Sequence, residues 1–233
     1  MSINNESNSL KKLIVSDLTT FTHLDYPDHL ACIVWLVGCN MRCDFCYNKD
    51  IVFSKNGSLS LQDVLDFLNK RVGLLDAVVL SGGEATTHDL FNFCKEVKSL
   101  GFKIKLDTNG LNPNQVKLLI EKNLIDYIAL DYKAPKSKFT TITHSNKFND
   151  FSTTLDTIIK YDFPFEVRTT IHNDLLDYQD VNIIIDDLVQ RGYKNHYFLQ
   201  EFLDTGDNIG NISTSIKRLM KDKLSKKLNI VFR

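Results

Sequence analysis

Three cysteines lie close together in the segment GCNMRCDFCYN, at positions 39, 43 and 46. This Cys-x3-Cys-x2-Cys spacing lets three thiolates bind one metal centre, and three thiolates on a four-iron cluster leave one iron open to an exogenous ligand. A structural zinc site needs a fourth sulfur or nitrogen ligand, and the nearest histidine, His29, is ten positions before Cys39. The spacing therefore indicates a [4Fe-4S] cluster, with a degenerate zinc site as the alternative.

The two remaining cysteines do not extend this group. Cys32 falls inside an apolar run, and Cys94 falls in a helical pattern with Leu90, Phe93 and Val97. We interpret both as small buried hydrophobic residues. A second iron-sulfur cluster needs about four more ligands, so two cysteines are too few for one.

Composition predicts one cytoplasmic domain. The 233 residues are 43% hydrophobic, and 28 basic and 29 acidic residues give a net charge of −1, which argues against a nucleic-acid or membrane partner. The start, MSINNESNSLKK, is too polar for a signal peptide. We expect a disordered lead-in over residues 1–12 and a single domain over 13–233, with a helical, lysine-rich C-terminal extension from about residue 204.

Short β-branched runs alternate with segments of helical period, which predicts repeated βα units with parallel strands. Ser60, with Asp63 three positions later, begins one helix, and Pro113 begins another. Further helices are predicted around residues 151–159 and 181–188. The predicted strands are residues 31–37, 76–81, 102–107, 126–131, 165–170 and 196–202. The period alone does not separate a barrel from a doubly wound sheet.

The unusual residues follow the predicted strands, where α/β folds bind ligands. The cysteine loop follows the first strand, and GGE at 82–84 follows the second. DTNG at 107–110 and DYK at 131–133 end the next two, and Arg168 lies on the fifth. Six strands in an incomplete barrel would leave a lateral opening for a loop of another protein.

Gly82, Gly83 and Glu84 suit a ligand with an ammonium group. The glycines let backbone groups approach a ligand, and the carboxylate of Glu84 can pair with the ammonium. The alternative is a βα turn with Glu84 in the first helical turn. Likewise, Asp107 to Asn109 could form only an Asx turn, and Lys133 could be solvated.

These motifs resemble those of a known family. CNMRCDFC has the cysteine pattern of radical S-adenosylmethionine enzymes, and SGGEAT resembles their methionine-binding segment. LDTNG and ALDYKAP, with DYP, RTT and FLQEF, are similar to segments of the activating enzymes of glycyl radical enzymes. The resemblance covers about residues 15–203 and is strongest to activators of anaerobic ribonucleoside-triphosphate reductase. It implies a partial (βα)6 TIM-like barrel of the radical SAM type.

The resemblance also implies roles for individual residues. Cys39, Cys43 and Cys46 would bind the cluster, whose open iron would take the amine and carboxylate of S-adenosylmethionine. Further residues would bind that cofactor, with a monovalent cation near its carboxylate. These residues are Phe45 and Tyr47 beside the adenine, Gly82, Gly83 and Glu84 at the methionine, Asp107, Thr108 and Asp131 around the cation, and Lys133 and Arg168 as compensating charges.

By the same resemblance, a flavodoxin or ferredoxin would supply one electron, and a 5'-deoxyadenosyl radical would take hydrogen from a glycine of the partner. The partner would be a glycyl radical enzyme, and the resemblance favours anaerobic ribonucleoside-triphosphate reductase. Two enzymatic alternatives stay open: a pyruvate formate-lyase-type activase, and a radical enzyme acting on a small molecule such as a deazapurine precursor. A non-catalytic iron-sulfur or zinc binding module is the non-enzymatic alternative.

Overall fold

The computed structural model describes residues 10–233, which fall into two compact units. The first contains the chain up to Cys39, with Asp50–Thr108 and Asn114–Ile128. The second contains Asn40–Lys49, Asn109–Pro113 and Ala129–Arg233. Most of the predicted lead-in, residues 1–9, lies outside the described residues, and the single domain stays a prediction. In the part described, no helix has the length and apolar character needed to span a bilayer.

Strands of the first unit lie in the order β3-β1-β2-β4-β5. β1 is antiparallel to β2 and to β3, whereas β2, β4 and β5 are parallel. Their bounds are Leu13–Thr22 for β1, Ala31–Leu36 for β2, Leu59–Ser60 for β3, Ala77–Gly82 for β4 and Lys103–Thr108 for β5. The parallel strands confirm the prediction of βα units.

In the second unit, β7, β8 and β9 are parallel neighbours. They cover Phe165–Ile171, Tyr197–Glu201 and Ile230–Phe232, and β6, Tyr127–Asp131, passes from one unit to the other along the chain. All six predicted runs form strands, with ends shifted by at most one residue. β1, β3 and β9 were not predicted. β3 and β9 are two and three residues long, which is too short to show a period. β1 is mostly exposed or half-buried along its ten residues and has register shifts, so it shows no regular apolar alternation.

Helices follow the parallel strands. They are α1 Lys49–Phe53, α2 Leu61–Asn69, α3 Phe91–Ser99, α4 Pro113–Glu121, α5 Lys136–Thr143, α6 Phe148–Lys160 and α7 Tyr178–Gln190. The predicted start of α2 is confirmed by a reciprocal capping box, in which the Asp63 N–H donates to Ser60 Oγ and the Ser60 N–H donates to Asp63 Oδ2. α4 begins at Pro113, also as predicted.

The parallel strands of the first unit bury both faces. Ala31, Ile33, Ala77 and Val79 form an apolar cluster with Tyr26 on one face. The alternate positions, which point to the other face, are fully buried as well. This explains why the strands read as continuous apolar runs.

Cys32 and Cys94 are fully buried in β2 and α3. Burial raises the pKa of each thiol to about 12, because the apolar surroundings disfavour the thiolate. Their interpretation as small hydrophobic residues is confirmed.

The lysine-rich C-terminal helix was predicted wrongly. After α7, the chain contains β8, the short 3-10 helix Lys221–Lys223 and β9. The side chain of Asn182, on α7, donates to the carbonyl of Lys223 at 3.0 Å and accepts the N–H of Ser225 at 2.7 Å. Because these backbone groups bond to α7, this tertiary contact outweighs the local helical pattern.

We expect Asn182→Ala to loosen residues 219–228 while global unfolding changes little. Loss of the two hydrogen bonds lowers the local opening free energy by about 1 kcal/mol. Amide hydrogen exchange of this segment measures the effect. Gln190→Ala, an exposed change on the same helix, should leave exchange unaltered. Equal protection in Asn182→Ala and the wild type would show that the amide does not hold the segment.

Candidate active site

The second half of the cysteine loop is fixed to the end of α5 by backbone hydrogen bonds. The N–H of Arg42 donates to the carbonyl of Thr143 at 2.9 Å, and the N–H of Asp44 donates to Ile142 at 3.0 Å. The loop has no regular secondary structure, so these contacts fix its path.

A second contact holds the same loop from the C-terminal side. The N–H of Ile209 donates to the carbonyl of Cys46 at 3.0 Å, and that of Gly210 donates to Asp44 at 2.9 Å. A Cβ at position 210 would lie 2.6 Å from the Cβ of Asp44, so only glycine allows this approach. Sequence reasoning missed this role, because its only local signal was the dipeptide Ile-Gly.

The donor set suits an iron-sulfur cluster. All five cysteines are free of disulfides; Cys43 is buried, whereas Cys39 and Cys46 are partly exposed. Within residues 10–233, no group of three or more His, Cys, Asp or Glu side chains is arranged to hold a single metal ion. Thiolates of a four-iron cluster bind different iron atoms, so they do not have to converge on one point.

In the second unit, three of the predicted site residues form an ion-pair network. Arg168 Nε lies 3.0 Å from Asp131 Oδ1, and Lys133 Nζ lies 3.1 Å from Asp131 Oδ2. Burial alone would raise the pKa of Asp131, but the charges of Arg168 and Lys133 lower it to about 2. The carboxylate is therefore ionised in any ordinary buffer.

Lys133 also faces the cysteine loop. Burial alone would lower its pKa, but the negative charge of Asp131 and the thiolate charges of Cys43 and Cys46 raise it above its usual value. Its Nζ lies 5.7 Å from the centre of the Phe45 ring. The alternative that Lys133 is merely solvated is wrong, because its side chain is 18% exposed and paired.

Glu84, in the first unit, is buried and bound within the chain. Its Oε1 accepts hydrogen bonds from the Thr108 hydroxyl at 2.7 Å and from the Thr86 N–H at 3.1 Å. It thereby caps the 3-10 helix Ala85–Thr87, which agrees with the alternative of a turn-forming role. Binding of a ligand ammonium by Glu84 stays a prediction.

Gly82 and Gly83 are required by the chain itself. Gly82 has φ +112°, and a Cβ there would overlap the backbone of Leu36. A Cβ at Gly83 would overlap the carbonyl of Gly38. The glycines thus let the ends of β2 and β4 approach each other closely.

The DTNG segment combines a turn with a buried charge. Asn109 Oδ1 accepts the N–H of Leu111 at 3.0 Å, which is the Asx turn named as an alternative. Asp107 is paired instead with Lys105, whose Nζ lies 2.8 Å from Oδ1. Sequence reasoning missed Lys105, although Lys105 and Asp107 are two apart and so point to one face of β5.

Comparison with known proteins identifies the family. The Radical SAM superfamily profile matches residues 33–188. A protein of Methanocaldococcus jannaschii, named provisionally as a glycyl-radical enzyme activating enzyme, is 30% identical in an alignment of 183 positions that covers 74% of each chain. The pyruvate formate-lyase-activating enzyme of Streptococcus mutans is 28% identical over 58% of this chain and 56% of that enzyme.

Solved structures agree on the fold. SuiB of Streptococcus suis, crystallised with S-adenosylmethionine, superimposes with a TM-score of 0.66 at 14% identity. The match covers 84% of this chain and 48% of SuiB, so the chain spans about half of that protein. The fold is therefore the radical SAM type of α/β fold, which confirms the predicted partial (βα)6 barrel class. The family's cofactors are a [4Fe-4S] cluster and S-adenosylmethionine.

The predicted cofactor-binding residues of the second unit differ in their surroundings. Within the second unit, Asp131, Lys133 and Arg168 lie together, and Lys133 faces Phe45, Cys43 and Cys46. Tyr47, by contrast, has a half-exposed side chain. The assignment of these residues to S-adenosylmethionine stays a prediction.

Asp131→Asn tests the ion-pair network through pH. A carboxyl whose pKa is lowered by folding contributes stability above its unfolded pKa of about 4, and this is lost as pH falls toward 2. We expect the wild type to exceed the variant by roughly 2 kcal/mol at pH 6 and the difference to close toward pH 2. Urea unfolding across this range measures it, and a difference independent of pH would contradict the pairing.

Gly82→Ala should destabilise the fold by roughly 3 kcal/mol or more, because the methyl group overlaps backbone and φ is positive. Gly101→Ala is the matched control: Gly101 has φ +91° but no atom within 4 Å of the added Cβ. It should lose only about 1 kcal/mol. Thermal unfolding compares the two, and equal losses would exclude the steric explanation.

Proposed function

Because the chain belongs to the radical SAM superfamily, we propose that it is an activating enzyme that forms a glycyl radical on a partner enzyme. The observation that supports this most directly is the 30% identity to the M. jannaschii protein over 74% of both chains. The similarity to a pyruvate formate-lyase-activating enzyme points to the same class of substrate.

Cys39, Cys43 and Cys46 would hold three irons of the cluster and leave the fourth open to S-adenosylmethionine. When bound, the reduced cluster supplies an electron for reductive cleavage of S-adenosylmethionine, which allows a hydrogen atom to be taken from a glycine α-carbon. The hydrogen bonds from Ile209 and Gly210 hold the loop backbone at Cys46 and Asp44, which supports the segment that carries the second and third thiols.

Lys133 and Arg168 would set the charge around this site. Three thiolates and a substrate carboxylate bring negative charge into a partly buried region, and Lys133 already faces Cys43 and Cys46. Asp131 holds both cations in place through its two oxygens. Loss of Asp131 would therefore leave two positive groups without a fixed position.

For the partner, we propose anaerobic ribonucleoside-triphosphate reductase, with a flavodoxin or ferredoxin as electron donor in the cytoplasm. The segments LDTNG and ALDYKAP support an activase over a small-molecule enzyme.

Cys43→Ala is expected to abolish the cluster and all formation of 5'-deoxyadenosine, because two thiolates cannot retain a cubane with one open iron. Cys94→Ala is the matched control, because it removes a buried thiol outside the loop. This variant should still bind the cluster and form 5'-deoxyadenosine. The protein is reconstituted anaerobically with iron and sulfide, reduced with dithionite and mixed with S-adenosylmethionine. Turnover by Cys43→Ala would remove this loop from the mechanism.

Electron paramagnetic resonance tests the substrate class. After mixing with S-adenosylmethionine and candidate glycyl radical enzymes, we expect the doublet of a glycyl radical in the ribonucleotide reductase. A doublet only in pyruvate formate-lyase would reassign the partner. If 5'-deoxyadenosine forms but neither enzyme shows the doublet, the result would favour a small-molecule substrate.

A further inference from the structure

We propose that Lys105 is a positioning residue whose ammonium group replaces the monovalent cation expected beside Asp107. The proposal rests on the S-adenosylmethionine site of the proposed function, but it does not depend on which glycyl radical enzyme is the partner.

Lys105 is a buried charge that pairs with Asp107. Its side chain is 3% exposed, and Nζ lies 2.8 Å from Asp107 Oδ1. At this distance the ammonium and the carboxylate form an ion pair. The other carboxylate oxygen, Oδ2, accepts the hydroxyl of Ser81 at 3.2 Å. Both oxygens of Asp107 therefore have partners within the first unit.

The strand itself fixes this ion pair. Residues 105 and 107 are two apart in β5, so their side chains point to the same face. Lys105 is in parallel register with Val79, a member of the buried apolar cluster. A lysine in such surroundings is costly unless it is paired, and Asp107 lies one pleat away. The ammonium is therefore attached at a fixed place and cannot exchange with solvent ions.

Asp131, considered within the second unit alone, is also neutralised. Its oxygens have Arg168 at 3.0 Å and Lys133 at 3.1 Å. A sodium or potassium ion at Asp131 would be the third positive charge beside that carboxylate. At Asp107, it would be the second positive charge, after that of Lys105. Like charges at such distances repel strongly in a partly buried region. The two carboxylates thus do not fit the cation that the resemblance implies.

Thr108 does not restore a cation site. Its hydroxyl donates to Glu84 Oε1 at 2.7 Å, and its neutral oxygen adds no negative charge that would attract a cation. Both carboxylates predicted to surround a cation are therefore already neutralised by side chains of this protein. We infer that S-adenosylmethionine binding by this chain is independent of added monovalent cations.

The test compares potassium chloride with tetramethylammonium chloride at equal ionic strength, which keeps general screening constant. Equilibrium dialysis of the reconstituted wild type should give the same Kd for S-adenosylmethionine in both salts. Lys105→Met should bind about tenfold more weakly in tetramethylammonium and recover several-fold in potassium. Wild-type affinity that rises saturably with potassium would overturn the proposal.

Thermal unfolding without S-adenosylmethionine gives a readout that needs neither ligand nor activity. Potassium should raise the Tm of Lys105→Met and leave that of the wild type unchanged relative to tetramethylammonium. Lys103→Met is the matched control on the same strand, because Lys103 is exposed, and it should show no potassium effect. A potassium effect on the wild type, or none on Lys105→Met, would count against the proposal.

Two variants guard against misfolding of Lys105→Met. Lys105→Arg keeps the charge and should behave as the wild type in both salts. The double variant Lys105→Met with Asp107→Asn removes both charges, and it should fold without any potassium effect. A potassium effect that persists in the double variant would show that the ion binds elsewhere.

Discussion

Charge placed in partly buried surroundings at the carboxyl ends of the strands is the constraint on which this site depends. An ionised side chain in such a position must be paired, or folding loses several kcal/mol. The chain satisfies this twice, with Lys105 and Asp107 in one unit and with Asp131 between Lys133 and Arg168 in the other. The result is two fixed arrangements of charge that exist before any ligand binds.

Such pre-arranged charge suits the electron transfer that is proposed for this site. Ion pairs held by strands do not need to reorganise when charge changes nearby, because their dipoles are already oriented. Lys133 joins this network to the cysteine loop, since it pairs with Asp131 and faces Cys43 and Cys46. A cluster held there would experience a positive group at a fixed distance.

Close backbone approach is the second requirement. Gly83 and Gly210 both lie where a methyl group would overlap backbone or a Cβ of a neighbouring segment. Gly83 lets Gly38, next to the first cysteine, pack against the end of β4, and Gly210 lets the C-terminal segment pack on Asp44. Gly83, which the sequence assigns to ligand binding, therefore also supports the loop from which the thiols extend, and so does Gly210, which the sequence did not single out.

The sequence by itself determined six of the nine strands in the described residues, most helices and the cysteine loop, because apolar period, capping residues and ligand spacing act over a few neighbouring residues. It also allowed the family to be inferred. Only the tertiary structure decided that the lysine-rich segment is not a helix, that Glu84 caps a 3-10 turn and that Lys105 pairs with Asp107. The physical reason is that these outcomes depend on which partners fold next to each side chain. Asn182, for example, is more than forty residues before the backbone that it binds, and no local pattern contains that information.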